Sequence, residues 1–193
     1  METDEQLIAR WSSGREQSAR NTLIGRYLPR FYGTARAMLV RVEEAEDIAQ
    51  EVMLKVVVAL DRFDGRSTFQ AWSYAILLNT VRTSLRHGKL RGQRLDPVAN
   101  VERLAAPESA MESRLDGEET KSKLEAAMGR LSEKQRVAVV LMLMEGLSAV
   151  EVAVMEECSV DAVYQRVADA RKLLRSEVSL RRVWLSLISI EFV

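Results

Sequence analysis

Apolar residues along most of this chain recur at spacings of three and four, the period of a helix and not of a strand. The clearest stretch is Glu43–Leu60, where Ala45, Ile48, Ala49, Val52, Val56 and Ala59 form one stripe. The opposite face opens with Glu43, Glu44, Glu46, Asp47, Gln50 and Glu51. Acidity there suits a helix N-terminus, whose backbone dipole favours negative charge. Farther on, Leu54, Val57 and Val58 fall partly off the stripe. The pattern fits an amphipathic bundle helix with a solvated acidic end. It also fits a helix whose second face, first acidic and then apolar, docks on something else.

Other helices flank it. Asp4–Trp11 places Leu7, Ile8 and Trp11 on one side, and Ser12-Ser13-Gly14 ends that helix. A second helix runs from about Glu16 to Leu39, with Leu23, Ile24, Tyr27, Phe31 and Ala35 toward the core. Pro29 inside it predicts a kink or division near Tyr27-Leu28. Turn residues Asp61-Arg62-Phe63-Asp64-Gly65 close the acidic helix. A further helix spans about Thr68–His87, capped by Thr68 or Ser67. Its Phe69, Trp72, Ala75, Ile76 and Asn79 follow helical spacing, and Phe69, Trp72 and Ile76 at such spacing are more often a core stripe than a base-stacking platform.

After the linker, Glu118–Arg130 reads as a helix, and Ser132 caps another with Val137, Val140, Leu141 and Met144 on its core face. Gly146 ends that helix. Ser148 caps Ala149–Glu156, with Glu151 completing a capping box. Glu157-Cys158-Ser159 leads tightly into a last helix from Val160 to about Val178, whose buried stripe is Val160, Val163, Val167, Ala170 and Leu174. Two helices joined by so short a turn have the form of a helix-turn-helix. Asp161, Ala162, Tyr164, Gln165, Arg166 and Asp169 would then face outward, with Arg171, Lys172 and Arg175 toward phosphates. The tail, Leu180–Val193, is apolar and carries Arg181, Arg182 and Trp184.

The chain has 193 residues, 47% of them hydrophobic, with few glycines and prolines. An all-α fold with a substantial core follows. The single cysteine, Cys158, excludes an internal disulfide and a cysteine-rich zinc site, and suits a reducing cytoplasm. The polar N-terminus has no signal-peptide core, and no stretch is long enough to insert into a membrane. One histidine, no glycine-rich phosphate loop and no metal-spaced ligand set leave little basis for an enzyme; no cofactor and no metal are expected.

Net charge is zero, but it is distributed in blocks. Gly65–Leu95 has no Asp or Glu, yet holds Arg66, Arg82, Arg86, His87, Lys89, Arg91 and Arg94. Cations beside aromatic rings are what an unpaired nucleic-acid strand requires. Asp96–Thr120 reverses the sign and contains Pro97 and Pro107. The expected organisation is a domain over 1–95, an acidic linker over 96–117 and a helix-turn-helix domain over 118–193.

Two stretches, AEDIAQEVMLKVVVALDRFDGRSTFQAWSYAILLNT at Ala45–Thr80 and LSEKQRVAVVLMLMEGLSAVEVAVMEECSVDAVYQRVADARKLLR at Leu131–Arg175, together resemble the sigma factors of bacterial RNA polymerase, in their extracytoplasmic-function group. The resemblance covers nearly the whole chain. It implies a dissociable subunit that binds core RNA polymerase and directs it to promoter DNA. Asp47, Gln50, Glu51 and Leu54 would bind the polymerase. Trp72, Asn79, Arg82 and Arg86 would hold the melted minus-ten strand. The linker would thread the polymerase channel. Ser159, Ala162, Gln165 and Arg166 would meet the minus-thirty-five element, with Gln165 and Arg166 as the base readers and Arg171 and Lys172 on phosphates. An anti-sigma factor is a further implied partner, and the free chain would be a monomer.

The chain departs from the family pattern at several positions. Ala75 and Leu78 stand where arginines are frequent, and Thr83 and Ser84 where an acid and an aromatic are. Tyr164 replaces a usual lysine, Ala168-Asp169 a basic pair, and Glu157 a turn glycine. Asp161 and Asp169 would repel phosphates, so the promoter grip should be weaker or unusual. Two other readings follow: a helix-turn-helix regulator acting on duplex DNA without polymerase, and a degenerate sigma-like protein that binds polymerase or an inhibitor without initiating.

Overall fold

A computed structural model describes residues 2–38, 41–90 and 126–175. These residues are helical, with no strand among them. The chain divides into two units, Met1–Gln93 and Arg94–Val193. The expected linker at 96–117, most of Glu118–Arg130 and the apolar tail lie outside the described residues.

The first unit contains α1 (Asp4–Gly14), α2 (Gln17–Ala37), α3 (Val42–Ala59) and α4 (Phe69–Leu90), with a 3₁₀ turn at Leu60–Arg62. A capping box between Thr3 and Gln6 starts α1, which runs one turn beyond the expected Trp11 and stops at Arg15 in the left-handed conformation. Pro29 does not divide α2, which is one continuous helix. A missing N–H removes one rung, and the buried residues on both sides, Tyr27, Phe31 and Ala35, hold the helix in place.

The core of this unit is aromatic. Tyr27 meets Phe69 edge-on at 5.0 Å, and Phe31 meets Tyr74 edge-on at 5.6 Å. Ala45, Ile48, Ala49, Val52 and Val56 of α3 are buried as expected and Met53 joins them, whereas Ala59, at the end of the expected stripe, is half-exposed. The stripe expected on α4 is corrected. Only Phe69 of that set is buried; Trp72, Ala75 and Ile76 are half-exposed, and Tyr74, Leu77, Leu78 and Val81 face the core instead. Both stripes have helical spacing, so spacing alone does not choose between them.

Polar contacts fasten α1. Asp4 accepts hydrogen bonds from Arg26 and from the Tyr27 hydroxyl. Trp11 Nε1 donates to Asp61 Oδ1 at 3.0 Å, and Arg15 pairs with the same carboxylate. Arg15 first, and Trp11 after it, hold the Asp61 carboxyl below its ordinary range. A carboxylate lowered in the folded state contributes stability above its unfolded pKa, and that contribution is lost as pH falls through the folded value. Asp61→Asn should therefore melt below the wild type at pH 7, and the gap should narrow as pH falls below about 4, the ordinary aspartate value. A gap constant with pH would remove the charge from this account.

In the second unit a helical stretch at 126–129 precedes α5 (Glu133–Val139), a π-helical turn (Val140–Met144), α6 (Ala149–Met155) and α7 (Val160–Arg175). Capping boxes at Ser132 and Ser148 start α5 and α6. Arg136 Nη1 donates to the Met128 carbonyl at 3.0 Å, tying the preceding stretch to α5; burial lowers its pKa. The apolar pattern gives no sign of the π-helical turn. Glu145 N–H reaches back to the Val140 carbonyl, five residues away. Ala138 and Val139 are buried with Val137, Val140 and Leu141, and past the wider turn Met144 faces out with 47% exposure.

The α6–α7 turn is a Schellman motif. Cys158 N–H donates to the Ala153 carbonyl at 3.0 Å and Glu157 N–H to the Val154 carbonyl at 3.4 Å. Glu157 has φ +50°, the conformation glycine adopts freely. A side chain there costs about 1–2 kcal/mol, part of which glycine returns through its looser unfolded chain. Glu157→Gly should stabilise this unit by up to about 1 kcal/mol in urea unfolding. A destabilised variant would mean that the Glu157 side chain contributes more than its backbone costs.

Candidate functional site

At about 100° per residue, Asp47, Gln50, Glu51 and Leu54 lie within roughly 100° of arc on α3. The buried residues of α3 occupy the other side. All four are exposed, and Leu54 (68%) and Val58 (79%) form an apolar continuation of the acidic turn. Solvated leucine and valine beside carboxylates on a rigid helix are a surface suited to a partner. Glu51 pairs with Lys55 one turn on, at 2.6 Å, and both are half-exposed.

Trp72, Asn79, Arg82 and Arg86 lie within roughly 80° of arc on α4, away from its buried face. The helix begins at Thr68, whose Oγ1 accepts from Ala71 N–H at 3.1 Å, the expected cap. Trp72 is half-buried against Phe63 and Phe69, with ring centroids at 5.1 and 5.7 Å. Those contacts fix the indole and leave part of it in solvent. Asn79 and Arg86 are exposed and Arg82 is intermediate. Arg86 Nη2 donates to Thr83 Oγ1 at 3.3 Å. Helices α3 and α4 meet where Lys55 Nζ donates to Thr80 Oγ1 at 3.1 Å. Lys55 borders the acidic arc, and Thr80 is 5% exposed on the packed face of α4, so this bond ties the edge of the acidic arc to the core side of α4.

On α7, Ser159 caps the helix by accepting from Ala162 N–H at 3.1 Å. Gln165 is exposed and its Nε2 donates to Asp169 Oδ1 at 2.9 Å. Lys172 is exposed and Arg171 is intermediate, its Nε buried without a hydrogen-bond partner. The expected outward orientation of Arg166 is corrected. Its side chain is only 16% exposed and pairs with Glu156, itself 1% exposed, at 3.2 Å. Arg166 sits about 60° from Val163 on the helix, inside the half that packs. That spacing could have placed Arg166; nothing in the pattern pointed to Glu156. Val160, expected in the buried stripe, is half-exposed.

Residues 23–91 match the family model for Sigma-70 region 2, and residues 121–174 that for Sigma-70 region 4. The RNA polymerase sigma-H factor of Pseudomonas aeruginosa is 29% identical, over 90% of this chain and 92% of its own length. The ECF RNA polymerase sigma-E factor of Escherichia coli K12 is 28% identical, over 91% and 94%. Among solved structures, CnrH in complex with the cytosolic domain of CnrY matches at TM-score 0.67 and 26% identity, over 93% of this chain and 99% of that one. The sigma factor RpoE in complex with the anti-sigma factor NepR, from Bartonella quintana, matches at TM-score 0.65 and 25% identity, over 83% and 97%. Fold, surfaces and relatives together define a transcription initiation factor. The chain belongs to the sigma-70 family, in its extracytoplasmic-function group.

Proposed function

We propose that the chain initiates promoter-specific transcription through three separate surfaces. Asp47, Gln50, Glu51 and Leu54 bind core RNA polymerase. Trp72, Asn79, Arg82 and Arg86 hold the opened minus-ten strand, the indole offering a ring face and the arginines meeting phosphates. Ser159, Ala162 and Gln165 meet the base edges of the minus-thirty-five element, and Arg171 and Lys172 meet its backbone. The observation that carries this reading is that α3 exposes an acidic and apolar arc, and α4, which packs on α3, exposes an acid-free arc with a ring and cations. A duplex-binding regulator has no use for that pairing.

Residues 1–95 act as the docking and strand-holding domain, 96–117 as the linker and 118–193 as the duplex-reading domain. The chain performs no bond chemistry; the polymerase does. It works as a cytoplasmic monomer when free, and an anti-sigma factor of the kind bound to the Bartonella quintana relative restrains it. No helix among the described residues is long and apolar enough to cross a membrane.

The test is reconstitution with core polymerase from the native host. Tight association, poor binding of the free chain to duplex DNA and run-off transcripts from selected promoters are expected. Strong duplex binding without polymerase would favour the independent regulator. Association without transcripts would favour the degenerate form.

A further inference from the structure

The strongest unassigned feature is the ion pair between Glu156 and Arg166. Glu156 closes α6, its N–H donating to the Val152 carbonyl at 2.9 Å. Arg166 stands in the middle of α7, ten residues on. Arg166 Nη1 bridges to Glu156 Oε2 at 3.2 Å, and the pair is largely removed from solvent. It therefore spans the two helices of the helix-turn-helix, beside the left-handed residue Glu157.

We infer that Arg166 is a positioning residue, which sets α7 against α6 through Glu156 so that Gln165 and Lys172 reach the duplex, and is not itself a base reader. This rests on the functional reading above. The physical reason is burial. The Arg166 side chain is 16% exposed and held at 3.2 Å by a carboxylate at 1% exposure, and withdrawing the guanidinium toward DNA would break a buried charge pair. Among the side chains facing outward are a hydrogen-bonded amide, Gln165, and a cation, Lys172, the latter suited to phosphate. Reading and positioning are thus divided between neighbouring residues on one helix.

The test compares run-off transcription by reconstituted holoenzyme from two templates. One carries an upstream element selected by the wild type from a randomised library; the other carries the same bases scrambled. All variants are assayed well below their melting points, which are measured in parallel. The wild-type ratio should exceed one clearly. Glu156→Gln and Arg166→Gln should each lower it by about tenfold or down to one, and the double variant should do no worse than either single. The apolar pair Glu156→Leu/Arg166→Met, which can hold the helices together without charge, should keep a ratio near the wild type's.

The opposite pattern overturns the inference. A Glu156→Gln variant that keeps or raises the ratio, with the apolar pair losing it, makes Arg166 a direct DNA contact released from Glu156. Lower melting points with every ratio unchanged make the pair a stability element only. A wild type indifferent to the upstream element overturns the functional reading and this inference with it, whereas a selective wild type with indifferent Glu156 variants overturns the inference alone.

Discussion

Replacing Asp47 and Glu51 together by lysine is expected to abolish association with core polymerase and leave the first unit folded. Both residues are exposed, so the substitutions bury no charge. The only described ion pair they break is Glu51 with Lys55, half-exposed and within one helix, a class that contributes at most about 1 kcal/mol. Binding is affected quite differently. Two carboxylates become two cations at the centre of the docking arc, and like charges juxtaposed in an interface cost several kcal/mol, which is a loss of about a hundredfold or more. Leu54 and Val58 remain available, so any residual affinity should be apolar and insensitive to salt. Calorimetric titration against core polymerase, with helicity and melting followed by circular dichroism, reads both effects. Affinity within threefold of wild type, with the first unit still folded, would remove α3 as the docking helix.

The positions of these residues are legible in the sequence for a simple reason. On α3 the apolar stripe and the acidic stripe differ in character, so periodicity separates inside from outside. On α4 they do not. Phe69, Trp72 and Ile76 and the set Tyr74, Leu77 and Val81 both satisfy helical spacing; Phe69 packs on Tyr27 and Tyr74 on Phe31, and only that packing leaves Trp72 and Ile76 at the margin. The same limit hides the π-helical turn. Val137 to Met144 is apolar throughout, and a continuous run carries no phase from which to read a register change. Glu157 is recognisable as a residue in a glycine position, and its backbone conformation gives that departure a physical meaning. Glu156 is not recognisable, because its role depends on a partner ten residues away across a turn.

The proposed strand capture by α4 leads to the second large effect. Asn79→Ala should weaken open-complex formation by about 1–3 kcal/mol, the value of a specific base contact, with almost no change in melting point because the residue is exposed. Trp72→Ala should lose a similar amount from base stacking and also destabilise the fold, since the indole packs on Phe63 and Phe69. Trp72→Phe should restore part of the stacking and so separate the two contributions. Both defects should appear with a single-stranded minus-ten oligonucleotide bound by holoenzyme as well as on duplex promoters, because the bases involved are unpaired. Arg82→Ala with Arg86→Ala should instead flatten the salt dependence, by about 0.7 in logarithmic slope for each single-strand phosphate that the variant no longer neutralises. Should Asn79→Ala impair duplex promoters and spare the single strand, α4 would be reading the closed helix, and the capture surface would have to lie elsewhere.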